Sequence, residues 1–261
     1  MGKAARDRSA RERLAEEREH QAKRQKQART LMISLGALAV IAVAVFAVVL
    51  TRSGDDETSA YHGPFVPATR QADGSIVMAK PGVNKPVLEI FEDFQCPSCK
   101  AFEKLNGPTV QELAAAGKVR VVYRPFQLFR QEPLKSNSLR AANAALCAPA
   151  DKWIQYHDLI YKHQPAEGDT GFSDADLISW ARKIGIRDPA FEKCVNGHEK
   201  LAQVTAMTQY AVQTAKVAST PTVKLDGRVL GTNETFTVNG LRKAILAAAA
   251  REQSTPAPAG S

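Results

Sequence analysis

Two cysteines two residues apart, Cys96 and Cys99, stand in the stretch Phe91-Glu92-Asp93-Phe94-Gln95-Cys96-Pro97-Ser98-Cys99. An apolar, strand-like run, Val87–Phe91, leads into them, and a helical pattern follows. A thiol at the first turn of a helix meets unpaired N–H groups and the positive end of the helix dipole. Both favour thiolate over thiol, so the spacing predicts an acidic, nucleophilic Cys96. Pro97 suits the first helical position, where its fixed φ and missing N–H cost nothing. Cys99, one turn on, is expected to face Cys96 from a less exposed place and to form or resolve disulfides with it. Zinc would need four ligands, and Cys147 and Cys194 form no second pair at ligand spacing. Covalent haem attachment would need His after the second cysteine, where Lys100 stands. The pattern therefore reads as a redox site, with no metal and no cofactor called for.

The elements that must position this pair can be read around it. Val87–Phe91, a helix over Pro97–Ala116 interrupted at Gly107-Pro108, and a second strand Val119–Tyr123 predict a right-handed βαβ unit with parallel strands. The middle is helical: Ser136–Cys147, Asp151–His163, Ser173–Ile184, a short helix near Asp188–Val195, and Glu199–Ala215. So long a block exceeds an ordinary crossover and reads as a helical subdomain inserted at about 134–216. Thr222–Leu225, the Asp226-Gly227 turn and Arg228–Leu230 read as a β-hairpin. Val238–Arg251 is a last helix. Before the hairpin stands Ser219-Thr220-Pro221-Thr222, which by itself reads as a proline at a strand start; a cis bond there would instead expose the Thr220 backbone to an extended substrate.

The 261-residue chain carries a net charge of +8. Residues 1–29 hold ten Lys and Arg against five acids, which leaves only a mildly basic remainder. No basic patch with interleaved aromatics follows, which argues against nucleic acid as a partner. Leu31–Leu50 is twenty residues without a charge, about 30 Å as a helix and enough to span a bilayer. No convincing cleavage pattern follows it, so an uncleaved anchor is expected rather than a signal peptide. The basic flank places residues 1–30 in the cytoplasm, near anionic lipid, and the rest of the chain outside the cell membrane. Residues 51–74 read as a linker, 75–250 as the folded domain and 251–261 as a disordered tail.

The cysteine stretch, Thr220-Pro221-Thr222 and the helical block between them together resemble the DsbA-like branch of the thioredoxin superfamily, over about Ser75–Ala250. The resemblance implies a thioredoxin fold with an inserted helical subdomain, here preceded by one transmembrane helix. It implies a cis bond at Thr220–Pro221. It implies catalysis by Cys96 and Cys99, supported by Pro97, Ser98, Thr220 and Pro221. It also implies substrates among reduced or unfolded exported proteins, and reoxidation by a quinone-coupled membrane partner, DsbB-like or VKOR-like. Two departures stand out. Ser98 occupies the place of a His that helps hold the thiolate in the best-known DsbA, and Ile90 replaces a buried acid six residues before the first cysteine. Glu92 or Asp93 could take over as proton acceptor for Cys99; capping or solvated loop charge is the equal rival. Cys147 and Cys194 fall on two predicted helices of the insertion. A disulfide between them, preferred to two buried thiols, would close a loop of about 46 residues, worth about 3–4 kcal/mol. His157 and His163 read as core or surface residues, and Phe126, Leu128 and Phe129 as core, with a substrate groove as the alternative. The expected function is an extracytoplasmic disulfide oxidase. A reductase, an isomerase (which would need a dimerisation module, for which Arg52–Met78 is too short) and a membrane-tethered binding module are the rivals.

Overall fold

A buried central strand sets the frame. β3, Val87–Glu92, lies between a parallel neighbour, β4 (Arg120–Pro125), and an antiparallel one, β5 (Thr222–Leu225). Flanked on both sides, it holds Leu88, Ile90 and Phe91 fully enclosed, with Glu89 and Glu92 as its two charged residues. A computed structural model describes residue 61 and residues 63–254. The segment 1–30 and the apolar run 31–50 lie outside the described residues. Among the described residues no helix is long and apolar enough to cross a membrane.

The mixed sheet has six strands in the order β1-β2-β4-β3-β5-β6, with β1 at Ala68–Arg70, β2 at Ile76–Met78 and β6 at Arg228–Val229. Strand β1 corrects the expected extent of the linker, since Ala68–Arg70 falls inside 51–74. It pairs antiparallel with β2, and the Arg70 guanidinium donates to the carbonyls of Ala145 and Ala148. Three half-exposed residues on a sheet edge carry almost no periodic signal, which is why composition alone reads them as tether.

Helix α1, Pro97–Ala115, follows β3. It buries Cys99, Phe102, Asn106, Val110 and Leu113, the 3–4 spacing of a core-facing stripe. The break expected at Gly107-Pro108 does not occur: the helix runs through Pro108. The carbonyl that Pro108 leaves without a donor is that of Lys104, on the exposed side, where water can satisfy it.

The helical block comprises α2 (Leu134–Cys147), a short 3₁₀ turn, α3 (Trp153–Lys162), α4 (Asp174–Lys183), α5 (Pro189–Asn196) and α6 (Leu201–Gln209). The last of these passes into a π turn at Tyr210–Thr214. Ser173 caps α4 by accepting from the Asp176 N–H, as its spacing suggests. Cys147, the last residue of α2, and Cys194 in α5 are joined in a disulfide. The chain returns through β5 and β6, a single-turn α7 (Thr232–Thr235) and α8 (Val238–Ser254). Helix α8 extends into the expected tail: residues 251–254 are helical, and the Ser254 hydroxyl donates to the Ala250 and Arg251 carbonyls. Arg, Glu and Gln favour helix well enough to continue the Ala-rich run.

Candidate active site

Cys96 is the N-cap of α1 and Pro97 its first residue, so the thiol stands where the helix leaves its N–H groups unpaired. Both cysteines are free thiols. Cys96 is 6% exposed and Cys99 not at all, so only Cys96 can meet a partner's sulfur. The hydrogen bond from the Cys99 thiol lowers the pKa of Cys96 below the ordinary thiol value; burial and the Asp93 charge act against it, and the Cys99 backbone N–H adds to it. Cys99 is driven the opposite way, well above the ordinary value, by burial first and then by the neighbouring Cys96 and the charge of Glu92. One thiol is poised as nucleophile and the other is held as the proton-bearing resolver. Accordingly, alkylation of the reduced protein should label Cys96 alone. Its rate should rise with pH and level off at a pH below that of an ordinary thiol, as mass-spectrometric mapping of the modified cysteine can check.

Across the sheet, the register Ile90 to Val223 and Phe91 to Thr222 brings the loop before β5 level with the end of β3. The Thr220–Pro221 peptide is cis. The Cys96 thiol lies 3.4 Å from the Thr220 carbonyl and donates to it while protonated. The Thr220 hydroxyl is buried without another partner, free to donate once the sulfur is charged. Pro97 is exposed and Ser98 half-buried, at the open side of the pair.

The turn that carries Cys96 is clamped by the helical block. Asp93 accepts from the backbone N–H groups of Gln95 and Leu128, at 2.9 and 2.7 Å, and from the Ser138 hydroxyl, at 2.9 Å. Gln95 accepts from the Asn137 amide at 2.8 Å and donates to the Pro165 carbonyl. Gln164 donates to the carbonyls of Phe94 and Cys96 at 2.7 and 3.0 Å. The insertion thus holds the reactive turn from α2 and from the loop after α3, while Phe126 packs into a small apolar cluster with Phe91, Ala211 and Val217. Leu128 and Phe129, both partly buried, pack against the cores as well.

Neither acid is a solvated cap. Both are buried, and they differ in kind. Asp93 spends its oxygens on the three donors that shape the turn, and burial raises its pKa in spite of them. Glu92, at the end of β3, accepts from the His157 ring at 2.9 Å and the Tyr161 hydroxyl at 3.1 Å, and its charge reaches Cys99. The charge of Asp93 acts on Cys96 and that of Glu92 on Cys99. From sequence, His157 has only a core or surface reading, and Glu103 none. Glu103 lies one turn after Cys99 on the buried stripe of α1, and a carboxyl at a core-facing position was the available signal. Glu92, Glu103 and His157 are the one group among the described residues whose ligand atoms converge as a metal would need, within 4.8 Å. Glu92 and His157 are joined by a hydrogen bond, while neither oxygen of Glu103 has a hydrogen-bond partner.

A family model described as thioredoxin matches residues 83–246. The chain belongs to the thioredoxin family. Within it the chain is DsbA-like, a thiol:disulfide oxidoreductase. Oxidised DsbA of Mycobacterium tuberculosis is 28% identical, with a TM-score of 0.56 over 70% of this chain and 92% of that one. DsbG of Mycobacterium tuberculosis, reduced, is also 28% identical, with a TM-score of 0.56 over 74% and 92%. BdbD of Bacillus subtilis shares the fold at 18% identity, with a TM-score of 0.59 over 72% and 100%. No curated protein matches the chain. The thioredoxin fold accounts for the placement found here, with the reactive cysteine where β3 gives way to α1 and the proline loop before β5 beside it.

Proposed function

We propose that this protein is a membrane-anchored, extracytoplasmic disulfide oxidase that introduces disulfides into exported proteins through Cys96-Pro97-Ser98-Cys99. The observation that carries the reading is the split of the pair into an acidic Cys96 at a helix start and a buried, proton-retaining Cys99. A substrate thiolate attacks Cys96 of the oxidised pair, forming a mixed disulfide and releasing Cys99 as a thiolate. A second substrate thiolate attacks the substrate sulfur, releasing Cys96. The substrate gains a disulfide, and the enzyme leaves as a dithiol with two electrons. A DsbB-like or VKOR-like quinone-coupled partner in the membrane takes those electrons, and the apolar run Leu31–Leu50 keeps enzyme and partner in one bilayer. Glu92 serves as proton acceptor for Cys99, and Thr220 offers its backbone to an extended substrate.

The Cys147–Cys194 disulfide supports a compartment that permits oxidation. A stabilised thiolate favours the reduced enzyme and therefore makes the disulfide form an oxidant. Ser98 supplies no positive charge to that thiolate, so we place this protein below the strongest oxidants of its kind. The deciding experiment is equilibration of Cys96–Cys99 with glutathione. An oxidase gives a potential near or above the glutathione poise of an oxidising compartment, whereas a value as low as thioredoxin's, about −270 mV, would assign a reductase.

A further inference from the structure

Cys99 poses a problem that its burial creates. To resolve a mixed disulfide on Cys96 it must lose its proton, yet it has no solvent contact, and Cys96, its neighbour, is itself nearly covered before any partner docks. The proton must leave through the protein.

We propose that Glu92, His157 and Asp158 form a proton exit from Cys99 to the surface, contributed mainly by α3 of the inserted helical subdomain. The charge of Glu92 acts on Cys99, and from Glu92 outward the path is a chain of hydrogen bonds. Glu92 meets His157 Nε2 at 2.9 Å, and His157 Nδ1 meets Asp158 Oδ1 at 3.0 Å. It starts at two wholly enclosed side chains and ends at an Asp158 side chain that is 45% exposed. A protonated imidazole bonded at both nitrogens can release a proton on one side as a proton arrives at its carboxylate partner on the other. Around it are the rings of Phe94, Tyr123, Trp153 and Tyr161, with centroids 4.8 to 5.6 Å from that of His157, which exclude water from competing routes.

The ionisable groups facing His157 come from every element around it: Glu92 from β3, Glu103 from α1, Tyr123 from β4, and Asp158 and Tyr161 from α3 itself. Burial pulls the imidazole toward the neutral form, and the Glu92 charge with the hydrogen bonds the ring makes to Asp158 and Glu92 outweighs it, so the pKa of the ring lies well above the ordinary imidazole value. Burial raises the pKa of Glu103 well above the ordinary carboxylate value. The step balances as follows. Cys99 gives its proton to Glu92, and the Cys99 thiolate attacks the Cys96 sulfur of the mixed disulfide. The Cys96–Cys99 bond forms and the partner leaves as a thiolate. Protonated His157 releases its Nδ1 proton by way of Asp158 to water while Glu92 keeps the proton from Cys99, so the ion pair becomes a neutral hydrogen-bonded pair and one proton in all has left. His157 and Asp158 are positioning residues here, acting through Glu92.

The inference rests on Cys96–Cys99 being the redox pair, and the experiment separates the two. The full chain is reduced and mixed with oxidised glutathione, and quenched samples are resolved by mass. Glutathione on Cys96 reports the first step, and its loss to the internal disulfide reports the second. His157→Gln should leave the first step unchanged and slow the second by about 10²-fold, the scale of a lost proton-transfer group. Asp158→Asn, at a half-exposed site that folding tolerates, should slow the second step about tenfold and flatten its pH profile, with a larger solvent isotope effect. An unchanged second step and pH profile in Asp158→Asn, and in His157→Gln where it folds, would overturn the proton exit. Absence of the glutathione adduct in the unmodified protein would overturn the redox assignment and this inference with it.

Discussion

Cys96→Ala is expected to abolish oxidation of a reduced, unfolded substrate, a fall of roughly 10³-fold or more on the scale of losing an enzyme's nucleophile. The geometry leaves no understudy. Cys99 is enclosed and its thiol is driven upward by burial, so at neutral pH it offers neither access nor thiolate. Cys147 and Cys194 are tied to each other. Cys99→Ala should behave differently. It removes the leading cause of Cys96 acidity, so the Cys96 pKa should move back toward the ordinary thiol value, and it removes the resolving sulfur. Mixed disulfides between Cys96 and substrate should then persist and appear as new bands on non-reducing gels. Refolding of a reduced substrate, followed by its regained activity, reads the first effect. Oxidation that survives Cys96→Ala would reject the mechanism.

Replacing both Cys147 and Cys194 by alanine is expected to destabilise the domain by about 4 kcal/mol in the chain-entropy model for a span of 47 residues. For a domain of this size that lowers Tm by about 10 °C. The bridge joins the end of α2 to α5, and α2 carries the Asn137 and Ser138 side chains that hold the reactive turn. Loosening α2 should therefore also reduce exchange activity at temperatures where the domain remains mostly folded. Calorimetry with activity measured in parallel checks both parts. A Tm within a degree or two of the unmodified protein would show that the bridge adds nothing to the folded state.

Much of the site was legible because it is local. A cysteine before Pro97 at the start of a helix is a matter of adjacent residues, and neighbours in sequence decide helix starts. The core strand β3 and the Asp226-Gly227 hairpin announced themselves in the same way. The short edge strand β1 did not, because Ala68–Arg70 pairs with β2 and anchors Arg70 on α2 only once the domain is assembled. Glu92 and Asp93 could not be told apart, since adjacent acids look alike until their partners are known. Those partners, His157 and Tyr161 for one and Leu128 and Ser138 for the other, lie 35 to 69 residues away.

The sequence by itself determined which atoms do the chemistry: two cysteines at a spacing that closes a disulfide across one helical turn. The helix start already pointed to an acidic Cys96 and a less exposed Cys99; tertiary structure supplied the groups that set how far they differ. Burial of Cys99, the Thr220 carbonyl beside Cys96 and the Glu92–His157 pair come from segments far apart in the chain. Thiol acidity depends on solvent access and on charges a few ångströms away, and those are properties of the packed molecule, not of residue order.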